Sequence, residues 1–315
     1  MTAPGPSRVL VIKLAALGDF VQALGPFAAI RRHHAAAKVT LLTTQPFVEL
    51  ADAGDWFDDI WIDARPKALD VRGWWALRRR LRGGGFGRVY DLQTSDRSSL
   101  YFRLFWPGPT PEWSGIAKGC SHPHDNPRRD FMHTIERQAE QLAHGGIADV
   151  PAGDLSSIKA HAARFGLSKP YALVVPGGAA HRPAKRWSAE CFAKLAAWLA
   201  ERKIKPVLVG GSDEAALLGA VAGACPDALD LAGRTSLLDI VALARGALCA
   251  IGNDTGPMHL IAAAGCPSVV LYSEASDPAL CAQRGPAVTI VSRPKLGDLP
   301  VEAVTAALAG AGVSA

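Results

Sequence analysis

Short apolar runs alternate along the chain with stretches in which apolar positions recur at helical spacing. The first run, residues 8–13, leads through a turn of small residues into a helix predicted from Phe20 to about Arg32, and the next run follows at residues 38–43. A strand, a turn and a helix at this spacing form a βαβ unit and therefore a parallel sheet. Further strands of that sheet are predicted at residues 60–63 and 88–93, with a Trp- and Arg-rich helix at residues 73–82 between them.

The alternation restarts after a linker-like stretch at residues 145–170. Before this stretch, the Pro-, Gly- and His-rich residues 106–130 predict a long functional loop, and a helix is predicted at residues 133–144. After it, four strand patterns and four helix patterns alternate up to residue 272, and a last helix is predicted at residues 301–309.

These patterns predict an α/β protein made of two doubly wound parallel-sheet domains that face a central cleft. We place the first domain at residues 1–165 and the second at residues 166–290, and we expect residues 291–315 to cross back to the first domain. Ligands of such sheets bind beyond the carboxyl ends of the strands, so the turns that follow the strands are where we look for chemistry.

The composition narrows the class of protein without identifying it. Of the 315 residues 49% are apolar and 20% are charged, which is typical of a folded globular protein. No apolar run approaches the ~18 residues of a membrane-spanning helix, and the N-terminus lacks the pattern of a secretory signal. Six scattered cysteines match neither a disulfide framework nor a paired zinc motif, so we expect reduced thiols in a cytoplasmic protein.

The net charge of +5 is concentrated in one part of the chain. Residues 65–103 contain ten Lys and Arg against three Asp and Glu. This distribution favours an anionic partner on one face over a basic coat for nucleic acid. Within it, residues 73–83 interleave paired Trp with Arg, a pattern that suits RNA, a membrane surface or an anionic glycolipid, or else an ordinary surface helix with one Trp in the core.

Asp19 is the candidate catalytic residue of the first domain. It stands just beyond the first strand, after Gly18, at the start of the predicted helix. One interpretation is an N-terminal cap that complements the helix dipole. The other is a general base, because a carboxylate at the carboxyl end of a strand is placed to take a proton from an acceptor hydroxyl.

Two strand-end segments of the second domain suit an anionic ligand. Gly177 and Gly178 precede a group of four cations, His181, Arg182, Lys185 and Arg186, which indicates a diphosphate site or, alternatively, a solvated basic loop. The run at residues 252–260, with Thr255 and then Pro, is a strong helix start that presents backbone N–H groups to an anion. Asp254 there is better suited to sugar hydroxyls than to phosphate, and His259 follows on the first turn.

Two further groups have weaker signals. Glu214 follows a glycine pair and suits the hydroxyls of a ribose, or else forms an acidic first helical turn. Cys120, His122 and His124 offer possible metal ligands in the predicted long loop, but their spacing matches no standard zinc pattern, so we expect no metal site and no cofactor.

Several motifs, taken in order, resemble glycosyltransferase family 9, the heptosyltransferases. The resemblance spans almost the whole chain, from residues 8–32 through YDLQTSDRSS, PGGAAHRPAKRW, VLVGGSDE and DLAGRTSL to NDTGPMHLIAAAGCPSVVLY. It implies a GT-B architecture, with two Rossmann-like domains that bind acceptor and donor respectively. It also implies inverting, metal-independent transfer of heptose from an ADP-sugar to an anionic lipid-linked glycan of lipopolysaccharide, at the cytoplasmic face of the inner membrane.

The resemblance carries over residue by residue. Asp19 matches the proposed base, Lys185 the lysine that meets the donor phosphates, and Glu214 the ribose-binding acid. The full donor-binding set then comprises Gly177, Gly178, His181, Lys185, Glu214, Thr235, Ser236, Asp254, Thr255, Gly256 and His259. The acceptor-binding set comprises Gly18, Arg65, Lys67, Arg97 and Arg137. The chain departs from the family where Tyr272, Ser273 and Glu274 replace a more usual Phe-Gly-Pro turn.

Three alternatives stay open at this point. A GT-B enzyme that uses another nucleotide sugar, including a hydrolysing epimerase, shares most of these motifs. A catalytically silent relative would bind a glycolipid or a partner protein without turnover. A nicotinamide-dependent dehydrogenase is disfavoured because no GxGxxG motif follows the first strand. We expect a monomer that binds no nucleic acid.

Overall fold

The computed structural model describes residues 5–179 and 181–310, and the chain divides into two units, Met1–Gly153 and Asp154–Ala315. Residues 154–165, which the sequence assigned to the first domain, lie in the second unit, as does the described part of residues 291–315. The cleft and the crossing of the last segment to the first domain stay predictions.

The first unit is built on six parallel strands. Its elements in chain order are β1 (Arg8–Ile12), α1 (Leu17–Val21), α2 (Leu24–His33), β2 (Lys38–Thr43), α3 (Val48–Asp52), β3 (Asp59–Ile62), α4 (Val71–Gly83), β4 (Arg88–Asp91), α5 (Asp96–Arg103), β5 (Glu112–Gly115), β6 (His122–Pro123) and α6 (Thr134–His144). The strand order is β3-β2-β1-β4-β5-β6. Val9 to Ile12 of β1 are fully buried, as expected for a central strand covered by helices on both faces.

The second unit is built on six more parallel strands. Its elements are β7 (Tyr171–Val175), α7 (Ala189–Glu201), β8 (Lys205–Leu208), α8 (Ala215–Ala224), β9 (Leu229–Asp230), α9 (Leu237–Gly246), β10 (Cys249–Asn253), α10 (Gly256–Ala263), β11 (Ser268–Tyr272), α11 (Pro278–Cys281), β12 (Val288–Ser292) and α12 (Val301–Gly310). The strand order is β12-β11-β10-β7-β8-β9.

Both sheets have the same topology. Each unit places its first strand beside its fourth, so that the strand order reverses between β1 and β4 and again between β7 and β10. Such a reversal opens a crevice at the carboxyl ends of the two strands, where doubly wound domains bind their ligands. The segments that follow these four strands carry Asp19, at the start of α1, and Gln93, Gly177 and Asp254 in turns.

Three local predictions were wrong. The helix predicted from Phe20 to about Arg32 is two helices, α1 and α2, since Pro26 lacks the N–H that a continuous helix would need there. The predicted loop at residues 106–130 contains β5 and β6, which extend the first sheet beyond β4. Pro123 is tolerated in β6 because this strand lies at the edge of the sheet. The sequence patterns predicted no strand after residue 272, whereas residues 288–292 form β12 and pair with β11.

Each sheet packs against its own apolar core, which holds the strands in position. In the first unit Leu77 and Leu81 of α4 pack with Trp113 of β5, and in the second Phe192 of α7 and Leu308 of α12 pack on the sheet. In residues 5–179 and 181–310 every helix falls short of the length and apolarity needed to cross a membrane.

Candidate functional site

The central feature of the second unit is an ion pair between Lys185 and Asp254. Lys185 ends a short 3-10 turn that follows the β7 loop, and Asp254 directly follows β10. Their Nζ and Oδ2 atoms are 2.6 Å apart, and the side chains are only 11% and 7% exposed. The reversal of strand order therefore brings together two residues that the sequence assigned to the donor.

Three buried or half-buried side chains complete the surroundings of Asp254. The Tyr272 hydroxyl and the Gln283 amide donate to its Oδ1 at 3.0 and 3.1 Å, and the Ser276 hydroxyl donates to its Oδ2 at 2.7 Å. Burial alone would raise the pKa of Asp254, but the hydrogen bonds from Lys185 and Ser276 outweigh it and hold the pKa below its usual range. Asp254 is thus an ionised, fixed acceptor. His259 lies beside it, with Nε2 3.9 Å from Oδ1.

Asn253 connects the segments that form this site. Its side chain is fully buried, and its amide donates to the carbonyls of Pro176 and Gly177 at 2.8 and 3.2 Å. Its Oδ1 accepts the N–H of Trp187 at 3.0 Å. One side chain therefore holds the glycine loop after β7, the start of α7 and the end of β10 in register.

We expect Asn253→Ala to lower the free energy of unfolding by ~2–4 kcal/mol, because it leaves several buried backbone groups without partners. Urea unfolding followed by circular dichroism measures this change. Asn126→Ala serves as the control, since the Asn126 side chain bonds partly exposed groups: the Glu140 carboxylate, the Met132 sulfur and the Arg128 N–H. Equal losses for the two variants would contradict the connecting role.

Glu214 joins the two glycine turns of the second unit. Its Oε1 accepts the N–H of Gly178 at 2.7 Å, and its Oε2 accepts the N–H of Gly211 at 2.9 Å. A Cβ at Gly177 would lie 1.9 Å from Oε1, so only glycine fits there. Each oxygen keeps a second lone pair, which leaves Glu214 able to accept hydroxyl donors from a ligand.

Thr235 and Ser236 lie beside the glycine turn that follows β8. Gly233, with φ of +66°, donates its N–H to the carbonyl of Gly210 at 2.9 Å and so places the turn before α9 against the turn after β8. Ser236 caps α9 through a bond from the Asp239 N–H at 3.3 Å. Glu214, Thr235 and Ser236 thus belong to adjoining loops.

The start of α10 suits an anion. Thr255 occupies the N-cap position in extended conformation, and within the described residues no side chain caps the helix there. Gly256 follows at the first helical position and leaves room for a ligand close to the backbone. His181 is exposed in the loop after β7. Arg186 instead donates to the carbonyl of Gly178 and braces the glycine loop.

In the first unit Asp19 lies in α1, directly after β1. Its Oδ2 accepts the N–H of Ala16 at 3.1 Å, so it does act as a helix cap. The negative charge of Asp19 also stabilises the charged forms of Lys13 and Arg137. Burial lowers the pKa of both cations, and the Asp19 carboxylate opposes that shift. Asp19 thus caps α1 and stabilises the charged forms of two buried or half-buried cations.

Arg97 and the 65–67 turn form a second group of predicted acceptor residues. The Arg97 guanidinium lies 3.3 Å from the carbonyl of Pro66 and 5.6 Å from the ring centre of Trp74. Lys67 accepts the Trp74 indole N–H through its carbonyl at 2.9 Å, and the charged ends of Arg65 and Lys67 belong to exposed residues. The structure thus places Arg65, Lys67 and Arg97 together. Arg137 interacts electrostatically with Asp19, and its guanidinium lies 3.9 Å from the Asp130 carboxylate.

Asp91, at the end of β4, supports the turn next to Asp19. Its Oδ1 accepts the N–H groups of Gln93 and Thr94 at 3.1 and 3.0 Å, while Gln93 Oε1 accepts those of Leu14 and Ala15 at 2.8 and 3.0 Å. Burial raises the pKa of Asp91 to about 6, although its hydrogen bonds oppose the shift. The Gln93 side chain therefore ties the turns after β1 and β4, and the buried, titratable Asp91 carboxyl group holds the Gln93 backbone in place.

This shift predicts a pH dependence of stability. Because the pKa of Asp91 is raised in the folded protein, the protonated carboxyl group adds to the free energy of unfolding. This contribution is full below about pH 4 and is lost as the pH rises through about 6. Asp91→Asn keeps the Oδ1 acceptor and cannot ionise. The unfolding free energy of the variant relative to wild type should therefore improve by ~3 kcal/mol between pH 4 and pH 8. Urea titrations across that range test it, and parallel curves for both proteins would contradict it.

The Cys120, His122 and His124 side chains have separate partners. Cys120 Sγ contacts the Gly115 carbonyl, His122 Nδ1 lies 2.9 Å from Ser121 Oγ, and His124 Nε2 lies 3.3 Å from Glu140 Oε2. Within residues 5–179 and 181–310, no group of three or more His, Cys, Asp or Glu side chains is arranged to hold a metal ion.

The sequence did not single out four residues of the site. Asn253 stands in the recognised helix-start motif, and its position before Asp254 was the available signal. Tyr272 and Ser276 lie at and just after the departure from the family pattern that replaces Phe-Gly-Pro. Gln283 follows α11 and carried no signal, because only the fold brings it to Asp254.

Comparisons with known proteins identify the family and the fold. The model of glycosyltransferase family 9 (heptosyltransferase) matches residues 74–305. ADP-heptose LPS heptosyltransferase II of E. coli has a TM-score of 0.82 at 20% identity, with 96% of this chain and 98% of that chain covered. A family 9 glycosyltransferase of Veillonella parvula has a TM-score of 0.82 at 19% identity, with 97% of each chain covered. A heptosyltransferase of E. coli, solved with ADP, has a TM-score of 0.77 at 21% identity, with 96% of this chain and 99% of that chain covered.

These structures define the class of protein, the GT-B fold with two Rossmann-like domains, and confirm the predicted fold class. The chain belongs to glycosyltransferase family 9, the heptosyltransferases. Lipooligosaccharide heptosyltransferase 2 of Haemophilus influenzae is 34% identical over 104 residues, which are 31% of this chain and 30% of that protein. The match thus spans less than a third of this curated relative.

Proposed function

We propose that this protein is an inverting glycosyltransferase that transfers heptose from ADP-heptose to a lipid-linked sugar of the lipopolysaccharide core. Family membership supports sugar transfer, and the names of the related structures supply the donor, ADP-heptose. The observation that carries the proposal is the buried pair of Lys185 and Asp254 at the head of α10. It combines a cation for phosphate with a fixed carboxylate for sugar hydroxyls.

The second unit holds the donor in this proposal. Lys185, the N–H groups at the start of α10 and the glycine loop after β7 meet the diphosphate, because cations and free backbone amides stabilise phosphate oxygens. Glu214 accepts the ribose hydroxyls, and the adjoining turn with Thr235 and Ser236 lies along the adenosine. Asp254 and His259 bind the transferred sugar.

The first unit supplies the base. Asp19 takes the proton from the acceptor hydroxyl, whose oxygen attacks the anomeric carbon of the heptose. The bond from that carbon to the β-phosphate oxygen breaks, and ADP leaves with the electron pair. Attack from the side opposite the leaving group inverts the anomeric centre. Arg65, Lys67, Arg97 and Arg137 attract the anionic acceptor, and Gly18 leaves room beside the base.

The charge that develops on ADP needs a fixed counter-charge in the transition state. We propose that Lys185 and the start of α10 supply it and that no metal ion takes part. The protein works as a monomer in the cytoplasm, in peripheral contact with the inner membrane where its acceptor is located.

The decisive experiment incubates the purified protein with ADP-heptose and a truncated lipid-linked core acceptor, with and without a metal chelator, and records acceptor mass. A gain of one heptose, unchanged by the chelator, supports the proposal. Parallel reactions with UDP- and GDP-sugars identify another donor if one is used. Binding of ADP by calorimetry without any mass gain would indicate a catalytically silent relative.

A further inference from the structure

Helix α4 carries an unusual outer face. Val71, Trp75 and Arg79 stand one helical turn apart and therefore share one side of the helix, opposite the buried Leu77 and Leu81. Val71 is 76% exposed and Trp75 is 61% exposed. Trp74, one position earlier, packs against Tyr101 instead, so Trp75 has no part in the core.

A second exposed tryptophan is held on the same side. The guanidinium groups of Arg78 and Arg82, which also lie on the outer side of α4, donate to the carbonyls of Trp106 and Pro107 at 3.1 and 2.9 Å. This leaves Trp106 itself 74% exposed. We call Val71, Arg72, Trp75, Arg79 and Trp106 the α4 surface.

The α4 surface combines apolar and basic groups. Arg79 lies 5.7 Å from the ring centre of Trp75, and both residues line a groove of about 450 Å³ with Arg8, Trp61 and Arg80. Helix α4 contains five arginines and no acidic residue. The carboxylate just before it, Asp70, is already used as the helix cap and accepts the Gly73 N–H at 2.9 Å.

We propose that the α4 surface docks on a bilayer that contains anionic lipids, with Trp75 and Trp106 in the interfacial layer and the arginines on lipid phosphates. Tryptophan is enriched at the membrane interface, and basic residues beside it add electrostatic attraction to anionic headgroups. Exposed aliphatic residues such as Val71 and the 94% exposed Leu69 add apolar area that a nucleic-acid surface would not use. The inference deepens the proposed membrane contact and rests on it.

Flotation with lipid vesicles tests the proposal without donor or acceptor, so its failure is distinct from a failure of the transfer reaction. Wild-type protein should float with phosphatidylglycerol–phosphatidylcholine vesicles and remain behind with phosphatidylcholine alone. Arg72→Glu/Arg79→Glu should reduce the bound fraction at least ~10-fold. Trp75→Ser/Trp106→Ser should reduce it similarly and should also weaken quenching of tryptophan fluorescence by brominated lipids.

The matched control reverses two exposed charges of the second unit, Lys159→Glu/Lys194→Glu, and so reaches the same net charge. It should float like wild type, and all variants should keep wild-type circular dichroism. The proposal is overturned if the control loses as much binding as Arg72→Glu/Arg79→Glu, if wild type does not float with anionic vesicles, or if the tryptophan variant floats and is quenched like wild type.

Discussion

Replacing Lys185 with alanine should lower turnover by ~10²-fold or more, while ADP binding weakens less. The reason is that the negative charge on the leaving diphosphate is larger in the transition state than in the bound donor, so a fixed cation stabilises the transition state more than the ground state. Turnover is measured by acceptor mass over time at saturating donor, and ADP affinity by calorimetry. Lys194→Ala, which changes an exposed lysine of α7, should turn over like wild type.

Loss of Lys185 also leaves the buried Asp254 carboxylate without its closest counter-ion, which should raise the pKa of Asp254 and destabilise the second unit. Rates are therefore compared well below the unfolding temperature of each variant. Lys185→Arg keeps a positive charge and should retain more turnover than the alanine variant. If Lys185→Ala keeps a rate within ~3-fold of wild type, Lys185 does not neutralise the leaving group.

Asp19→Asn should lower turnover by ~10²-fold or more with little change in the affinity for ADP. Asparagine removes the basic oxygen and keeps an acceptor for the Ala16 N–H, so this substitution separates the base from the cap. The measurement is kcat with the lipid acceptor, together with thermal unfolding.

Asp19→Ala provides the comparison, because it removes base and cap together. It should show the same loss of turnover as Asp19→Asn and an additional loss of ~1 kcal/mol in stability. Wild-type turnover in Asp19→Asn would leave Asp19 with the capping role alone.

The sequence was sufficient to predict the fold because the local signals agreed with one another. Buried apolar runs such as residues 9–12 and 171–175 mark central parallel strands, and the restart after the linker reveals the second unit. The sequence pattern did not predict the short strands toward the sheet edges. The short strands β5, β6 and β9 have two to four residues, and pairing with a neighbour stabilises them more than their own composition does.

The site was predictable to the extent that its residues stand in turns after strands. Lys185, Glu214 and Asp254 follow β7, β8 and β10, where glycine pairs and helix starts are visible in the sequence. Gln283 and Tyr272 were not predictable, because their contact with Asp254 depends on how β11 and α11 pack beside β10. Side chains that act through tertiary contacts leave no local pattern.

The pairing of Lys185 with Asp254 has a consequence for selectivity. Because the Lys185 ammonium group is already compensated by a carboxylate, this ion pair exerts little net electrostatic attraction on anions. An incoming ligand has to compete with an internal anion that three further donors keep in place. A small ion such as sulfate offers one contact in exchange, whereas a nucleotide diphosphate engages the lysine and the helix start at once. The Lys185–Asp254 site therefore favours ligands that make all of these contacts at the same time.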